Sequence, residues 1–551
     1  MRPILIPGET CWQECEVDEA GALFDGCDYY RAFYQQALRA RGHILIAGWQ
    51  FNTNVPLLRG EEAKSAPLPV EFMPFLAELG RRNPNLGIYI LAWDYSPVFA
   101  LEREWLQREA FAFGTPDNVQ FCFDDKHPLG ASHHQKFVVI DGALAFVGGM
   151  DLAQGRWDDR RHLASNPLRW EAGAPQKPYH DSMAYVRGPA AQQLARLFAE
   201  RWEAATGEPL TLPVTSPREP NPITGSIPIE AKRVAISRTG HCTTSDASGE
   251  TSYQEIQSLF LRSIERAEHL IYLETQYLTS RVFHETLMRR MRDSARPLDV
   301  IIVMPDDADT PKERLALGAA QNRILRSLCD TAARSGSRLR VYCTVPEGTL
   351  RDETVPEGAW SEGPPSERGR SDGPRSERPA PETARPEGSA PEPPATFIHS
   401  KILLVDDRLI CVGSANITNR SFTLDSELSL AWEAENDTDG VARSVVRMRA
   451  ELLSEHAGVA WAPEFFRLHG LISRLDAAVA SGKTRLKRRR IPSAASEETP
   501  LFDLTGLFDP EKPLDELALD QILPGRETDE DGAAGPRSGP ISEMQAASER
   551  G

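Results

Sequence analysis

A phrase of 18 residues occurs twice in this chain of 551 residues, and the two copies lie 265 positions apart. The first copy runs from His134 to Asp151, and the second runs from His399 to Asn416. A histidine, a lysine, an aspartate and a glycine recur in the same register in both copies, without a gap. This repeat predicts two halves of similar structure, because a duplicated sequence pattern indicates a duplicated structural unit.

The segments around the two phrases repeat as well. Tyr29 to Phe51 and Tyr253 to Tyr277 each show the pattern of an amphipathic helix, a turn and a short apolar strand. A polar helix and a second apolar strand follow in each half, the strands lying within Leu86–Trp93 and Leu298–Pro305. Helices that alternate with buried strands are typical of α/β layering, so the sequence predicts two pseudo-symmetric α/β lobes.

The duplicated phrase carries a chemical pattern. His134 and Lys136 are two positions apart, as are His399 and Lys401. Side chains two positions apart in a strand lie on the same face. If the lobes pack about a pseudo-twofold axis, two imidazoles and two ammonium groups meet at one point. Such a group suits an anionic phosphoryl substrate.

Composition excludes several classes of protein. The net charge of −18 argues against a general nucleic-acid binder, although the residues from Ser493 onward carry −10 of it. No apolar run approaches the ~18 residues that a membrane span needs, and the apolar start is too short for a signal peptide. We therefore predict a cytoplasmic protein. The eight cysteines form no CxxC pair and the histidines match no metal motif, so we predict no metal and no cofactor.

Two segments lack the apolar residues that a core requires. Residues 346–394 contain 11 of the 42 prolines, and residues 491–551 form an acidic tail. We predict an amino-terminal lobe over residues 1–225 and a carboxy-terminal lobe over residues 226–490. In this division the proline-rich insertion interrupts the second lobe and is disordered, and the tail is largely disordered.

The two phrases fit His-x-Lys-x4-Asp, and the chain therefore resembles the phospholipase D superfamily. The resemblance extends over Gly21–Leu475 apart from the insertion. Longer runs resemble eukaryote-type phospholipases D, and they lie at residues 146–158, 179–202, 271–277 and 416–427. The resemblance implies a bilobal α/β/α fold with the active site between the lobes. It also implies metal-independent chemistry through a phosphohistidine intermediate.

The resemblance also implies roles for individual residues. We expect His134 to attack phosphorus and His399 to act as the acid and then the base. Lys136 and Lys401 are expected to hold the phosphoryl oxygens. The full set of catalytic candidates is His134, Lys136, Asp141, His399, Lys401, Asp406, Asp181 and Glu427.

Among these candidates the carboxylates have two expected tasks. Asp181 is expected to orient the histidine of the first half, and Glu427 that of the second half. Asp141 and Asp406 follow their lysines by five positions, so we expect them to brace the turn that follows rather than to touch substrate. The substrate-binding candidates are Gly149, Asp151, Ser414 and Asn416.

These features together predict a phospholipase D. It would hydrolyse the distal phosphodiester of a glycerophospholipid, such as phosphatidylcholine, to phosphatidic acid and the free headgroup, and could pass the phosphatidyl group to an alcohol. The alternatives are a phosphatidyltransferase resembling cardiolipin synthase and a superfamily nuclease. The expected partner is phospholipid at a membrane surface, with the basic run Lys483–Arg490 as the candidate contact. We expect no nucleic-acid partner, and a monomer.

Overall fold

The structure is a computed structural model. The residues that it describes are 2–94, 104, 106–171, 173–213, 219–241, 252–308, 310, 314–347, 395–460, 462–493 and 508–513. Beyond Glu347 the proline-rich insertion lies outside the described residues, so its predicted disorder stays a prediction. Most of the acidic tail also lies outside the described residues.

The described residues form helices and strands in alternation. The helices are α1 (Asp25–Ala37), α2 (Gly60–Lys64), α3 (Phe72–Arg82), α4 (Gln107–Gly114), α5 (Pro189–Thr206), α6 (Glu255–Arg266), α7 (Arg281–Met291), α8 (Ala319–Ser335), α9 (Asn419–Thr423), α10 (Gly440–Ala457) and α11 (Leu471–Ala480). The strands of the first half are β1 (Gln13–Glu16), β2 (Glu19–Phe24), β3 (His43–Gly48), β4 (Gly87–Trp93), β5 (Val119–Asp124), β6 (Phe137–Ile140), β7 (Leu144–Gly148), β8 (Trp170–Glu171), β9 (Ala174–Pro175), β10 (Tyr179–His180) and β11 (Ser182–Arg187). The remaining strands are β12 (Ile227–Pro228), β13 (Arg233–His241), β14 (Ser252–Gln254), β15 (Leu270–Glu274), β16 (Asp299–Val303), β17 (Arg338–Thr344), β18 (Phe397–Ile398), β19 (Ile402–Val405), β20 (Leu409–Gly413), β21 (Glu427–Glu433) and β22 (Leu486–Arg488).

The two halves contain sheets with the same strand order. Seven strands of the first sheet follow the order β2-β11-β7-β6-β3-β4-β5, and seven of the second follow β13-β21-β20-β19-β15-β16-β17. Corresponding neighbours are parallel or antiparallel alike: β3-β4-β5 and β15-β16-β17 are parallel, and the other pairs are antiparallel. The predicted α/β fold with two pseudo-symmetric lobes is therefore confirmed.

The central strands are buried because both faces of each sheet are covered. Every residue of β3, β6, β7, β15, β19 and β20 is buried, which is expected where helices or the other lobe cover both faces. One apolar cluster extends across the two lobes and contains Phe137 and Val139 of β6 together with Ile402 and Leu404 of β19. Each lobe has one further apolar cluster on its outer side. The shared cluster fixes the lobes against each other along the duplicated hairpins.

Short segments also tie the lobes together at the backbone. Strand β1 lies early in the chain but pairs with β13 of the second sheet, whereas β12 pairs with β2 of the first. Strands β10 and β18 form a parallel pair between the halves. Each half therefore contributes one strand to the sheet of the other, β1 from the start of the chain and β12 from just beyond residue 225, the predicted domain boundary.

Candidate active site

The His-x-Lys residues of each half lie immediately before the first strand of its hairpin. His134 and Lys136 precede β6, and His399 and Lys401 precede β19. The backbone of this segment crosses to the other half in both copies. His134 N donates to Ser426 O at 2.9 Å, and His399 N donates to His180 O at 2.8 Å. These crossed hydrogen bonds bring the two phrases together between the lobes.

Each catalytic candidate histidine faces a carboxylate of the opposite half. His134 Nδ1 lies 3.0 Å from both oxygens of Glu427. His399 Nδ1 lies 2.6 Å from Asp181 Oδ2. The expected pairing within each half is therefore wrong, because the crossed backbone places each histidine beside the strand that carries the other half's carboxylate. With Nδ1 engaged in each ring, Nε2 is the nitrogen left for a substrate.

The two lysines are buried beside the histidines and differ in their surroundings. Lys136 Nζ donates to His134 O at 3.2 Å and lies 3.4 Å from Asp151 Oδ2. Lys401 Nζ donates to the backbone oxygen of His399. At the place matching Asp151 stands Asn416, whose side-chain oxygen has no hydrogen-bond partner among the described residues. Burial lowers the pKa of Lys401 to about 7, with nearby cations adding to the effect.

A third cation, which the sequence analysis did not select, lies near His399. Burial, followed by the charges of Lys401 and Arg156, lowers the pKa of His399 well below its usual value. Arg156 donates to the hydroxyl of Tyr179, whose ring lies 5.4 Å from the His399 ring. Both residues stand in runs that resemble eukaryote-type phospholipases D, but nothing in their spacing indicates contact with the duplicated phrase. The site thus gathers positive charge suited to a phosphoryl anion.

The small residues after each hairpin contact the carboxylates that hold the histidines. A side chain at Gly149 would begin 2.2 Å from Asp181 Oδ1, so glycine is required for the close approach of that carboxylate. At the matching place Ser414 Oγ donates to Glu427 Oε2. Their predicted contact with substrate stays a prediction, and the structure shows that both lie against the carboxylates that hold the histidines. Of the other two substrate-binding candidates, Asp151 lies beside Lys136.

The aspartates of the two His-x-Lys-x4-Asp motifs lie at the far end of the first strand of each hairpin. Asp141 Oδ1 accepts from the backbone N–H groups of Gly42 and His43, at 2.7 and 3.0 Å. Asp406 Oδ1 accepts from His269 N and Leu270 N, at 2.7 and 2.8 Å. Both have positive φ, of 56° and 52°. These contacts match the expected role of Asp141 and Asp406 in bracing the turn. They do not support a catalytic role for either aspartate.

A second polar cluster lies directly behind Asp181. Asp25, His162, His180 and Glu455 are all buried, and one potential ligand atom from each lies within 4.8 Å of the others. None of the four was selected from the sequence, because they are far apart along the chain. They are one of two groups among the described residues that could hold a metal ion, and the second group, His180 with Glu274 and His456, shares His180 with the first.

No helix among the described residues combines the length and apolarity that a bilayer crossing requires.

Two protein-family models match the chain. A family model described as "Phospholipase D" matches residues 124–294, and one described as "Cardiolipin synthase, PLD-like domain" matches residues 374–448. The first match contains the first phrase, and the second match contains the second.

Several curated proteins are similar over most of the chain. Phospholipase D A of Dictyostelium discoideum is 26% identical over 79% of this chain and 35% of its own length. Phospholipase D alpha 4 of Arabidopsis thaliana is 22% identical over 79% of this chain and 64% of its own length. The chain thus spans between about a third and two thirds of these relatives. A solved phosphatidylserine synthase of Haemophilus influenzae aligns with 86% of this chain and 97% of its own, at 13% identity and a TM-score of 0.46.

Proposed function

Because the chain belongs to the phospholipase D superfamily, we propose that it is a phosphodiesterase of the phospholipase D type. Its substrate would be a glycerophospholipid, cleaved at the distal phosphodiester bond to give phosphatidic acid and the free headgroup alcohol. The same phosphatidyl group could be passed to another alcohol. The phospholipid would be reached at a membrane surface.

One observation carries this proposal. The two histidine–carboxylate pairs, His134 with Glu427 and His399 with Asp181, lie together with two buried lysines. A carboxylate behind Nδ1 fixes the tautomer in which Nε2 is unprotonated, and it stabilises the imidazolium that forms during reaction. One ring can therefore act as the nucleophile while the other moves a proton.

The proposed reaction has two displacements at phosphorus. In the first, Nε2 of His134 forms a bond to phosphorus and the bond from phosphorus to the headgroup oxygen breaks, while protonated His399 gives its proton to that oxygen. In the second, neutral His399 takes a proton from water, the water oxygen bonds to phosphorus, and the phosphorus–nitrogen bond breaks. Lys136 and Lys401 hold the non-bridging oxygens throughout.

The low pKa of His399 before substrate binds leaves its ring neutral at pH 7. A bound phosphodiester brings one negative charge among the surrounding cations and favours protonation of the ring. The substrate therefore completes the acid that its own cleavage requires. A neutral His399 ring could also attack phosphorus. The assignment of His134 as the nucleophile is therefore part of the proposal, and identification of the histidine that carries the phosphatidyl group tests it.

The second family match supports an alternative. Its description names cardiolipin synthase, so a phosphatidyltransferase that uses a lipid alcohol as acceptor is the second candidate. Both reactions share the first displacement and differ in the molecule that enters in the second. The acceptor preference separates them.

The experiment is a product analysis with competing acceptors. The full chain is incubated with vesicles of mixed phospholipids, with and without ethanol and with phosphatidylglycerol present. Phosphatidic acid, and phosphatidylethanol when ethanol is added, are the expected products, and both should be lost in His134→Ala and in His399→Ala. Cardiolipin as the main product would favour the alternative. Turnover that survives in either histidine variant would overturn the two-histidine site.

A further inference from the structure

We propose that Asp25, His162, His180 and Glu455 bind one structural divalent transition-metal ion, of which zinc fits best, at the junction of the two lobes. This inference is independent of the proposed reaction, because the four side chains do not belong to the duplicated phrase. It differs from our prediction from sequence, which assigned no metal.

The donor atoms of the four side chains lie close together. Glu455 Oε1 lies 2.8 Å from His180 Nδ1 and 3.2 Å from His162 Nε2. Asp25 reaches the same two rings, with Oδ1 3.0 Å from His180 Nδ1 and Oδ2 3.5 Å from His162 Nε2. A tetrahedron with metal–ligand bonds of about 2.0 Å has edges of about 3.3 Å. The four nitrogen–oxygen distances bracket that value, but they involve both oxygens of Asp25 and are therefore not four edges of one tetrahedron. They show that two rings and two carboxylates lie close enough together to surround one ion.

Three buried polar atoms of this set lie near opposite charges but make no hydrogen bond with good geometry to other described residues. Asp25 Oδ2, Glu455 Oε2 and His180 Nδ1 are buried and make no well-aligned hydrogen bond with the described residues. A buried polar atom without a partner is costly, so such atoms are rare in folded proteins. His180 Nδ1 has two carboxylate oxygens within 3.0 Å and still no aligned hydrogen bond. An ion placed between this nitrogen and the two oxygens would give all three atoms a partner.

In both His162 and His180, the ring nitrogen that faces away from the set lies beside a carboxylate, as is usual for metal-bound histidines. His162 Nδ1 lies 3.0 Å from Asp158 Oδ2, and His180 Nε2 lies 3.0 Å from Glu274 Oε2. Metal-bound histidines usually donate their second N–H to a carboxylate, which fixes the ring and raises its basicity. Asp158 is fixed in turn by Arg169 Nη1 at 2.8 Å. Two imidazoles and two carboxylates form a set that zinc and related ions accept.

The charge of this buried region also favours a cation. Two guanidinium groups lie against its carboxylates: Arg169 pairs with Asp158, and Arg160 lies 3.7 Å from Glu455 while it is shared with neighbouring acids. The four carboxylates around the two rings are those of Asp25, Asp158, Glu274 and Glu455. Arg485, which donates to the backbone oxygen of Glu455, is a third cation near these carboxylates. At least one negative charge is left, which a bound cation would balance.

The duplicated arrangement has a second position that corresponds to His180, next to the first phrase, and a side-chain cation lies there. Gln135 and Ser426 occupy the positions that correspond to Ser400 and His180 in the duplicated arrangement. There a side-chain cation is present, because Arg201 donates to Gln135 Oε1 at 3.0 Å and to Asp124 Oδ2 at 2.8 Å. A guanidinium thus supplies the positive charge on that side, and the histidine–carboxylate set offers a place for an ion on this side.

The position of the set gives the ion a role in the architecture. Asp25 begins α1, and His162 and His180 belong to the same half, whereas Glu455 lies near the end of α10 in the other half. His180 is followed directly by Asp181, whose carboxylate holds His399. The ion would therefore join the lobes and fix the segment that positions the catalytic histidine. With four protein ligands it leaves no open place for substrate, so its role is structural.

Metal content of the full chain is the first test. The wild-type protein is produced with added zinc, freed of excess metal by gel filtration, and analysed by inductively coupled plasma mass spectrometry. About one zinc ion per chain is expected. The cobalt-substituted protein should show the intense visible absorption of four-coordinate cobalt without a thiolate charge-transfer band, which separates this site from the cysteines. Protein that takes up no stoichiometric metal would overturn the proposal, and protons on the two histidines would then balance the carboxylates.

Variants locate the ion and supply the control. His162→Gln and Glu455→Gln should each weaken zinc binding by at least about tenfold, since each removes a ligand. His456→Gln tests the second candidate group, to which His456 belongs. His284→Gln is the matched control, because His284 bonds Ser327 and lies in neither group. Loss of zinc from His456→Gln with retention in His162→Gln would place the ion elsewhere and overturn the assignment.

A stability measurement covers the case in which a ligand variant fails to fold. Removal of metal from the wild-type chain by a chelator should lower the melting temperature, and zinc should restore it, because a ligand that binds only the folded state stabilises it. An unchanged melting temperature after complete removal of the metal would contradict a structural ion.

Discussion

Asp181 Oδ2 lies 2.6 Å from His399 Nδ1, although the two residues are 218 positions apart and belong to opposite halves of the chain. The relationship is repeated by Glu427 and His134. Neither half therefore contains both members of a catalytic histidine–carboxylate pair, and the site exists only when both lobes are folded and packed together.

Replacement of Asp181 by Asn tests the importance of this crossed pair. We expect kcat to fall by about 10³- to 10⁴-fold with little change in KM, because the amide favours the wrong tautomer of His399. The measurement is turnover of a soluble short-chain phosphodiester. Asp299→Asn, which alters a surface pair with Arg338, is the control and should retain activity. Near-normal kcat in Asp181→Asn would contradict the orienting role.

Ser414→Ala distinguishes a residue that supports Glu427 from one that binds substrate. Loss of one hydrogen bond to the carboxylate should lower kcat by about 2- to 10-fold. KM should stay near its normal value, because the hydroxyl faces Glu427. A raised KM with unchanged kcat would instead support the substrate-binding role predicted from the sequence.

Asp406→Ala should affect stability. The carboxylate accepts from three backbone N–H groups, those of Glu268, His269 and Leu270, so its loss leaves buried donors without partners. We expect the free energy of unfolding to fall by about 1–3 kcal/mol, measured by urea denaturation. Asp406→Asn should recover part of the loss, because Asn retains one acceptor and tolerates positive φ.

The exposed Asp437 provides a control for that series. Asp437→Ala should leave the denaturation midpoint unchanged. A variant at Asp406 that keeps full stability but loses catalytic turnover per folded molecule would show that this aspartate takes part in the reaction.

Binding of an anion should be coupled to proton uptake. Burial lowers the pKa of Lys401 to about 7. Its amine is therefore largely neutral at pH 8 and largely protonated at pH 6. A phosphoryl anion favours the ammonium form and raises this pKa, so binding at pH 8 should take up about one proton or more, and binding at pH 6 less. By the same reasoning kcat/KM should decline above about pH 7.

Calorimetry of orthovanadate binding in two buffers of different ionisation enthalpy measures this uptake. Lys401→Gln should show less uptake at pH 8 than the wild-type chain does. Equal proton exchange at pH 6 and pH 8 in the wild-type chain would contradict a neutral lysine in the site.

The fold could be predicted from the sequence because its signal is repeated. The helix-and-strand pattern of Tyr29–Phe51 recurs at Tyr253–Tyr277, and both copies form the predicted helix and strand, α1 with β3 and α6 with β15. Burial of short apolar strands is a local property that a single sequence records. The turns at Asp141 and Asp406 could be predicted for the same reason. The backbone that their carboxylates bind lies 98 and 137 positions earlier, at His43 and His269, and could not be predicted in this way.

The pairing within the site could not be predicted in the same way. Which carboxylate faces which histidine depends on how the lobes cross, and the motif spacing is identical for either arrangement. The basic run shows a similar limit: Arg485 is buried, Arg488 pairs with Asp476 and Arg489 donates to Pro305 O, so these cations are engaged within the protein. Lys483, Lys487 and Arg490 remain exposed for a membrane contact. A sequence gives the charges of such a run but not their partners.

The configuration at phosphorus tests the central claim, two successive displacements through a histidine, most directly. A short-chain phosphatidylcholine with a chiral phosphorothioate at the scissile phosphorus is converted with ethanol, and the product configuration is read by ³¹P NMR. Each displacement inverts the centre, so the account predicts net retention. Net inversion would mean that the acceptor attacks directly, and it would contradict a covalent intermediate on either His134 or His399.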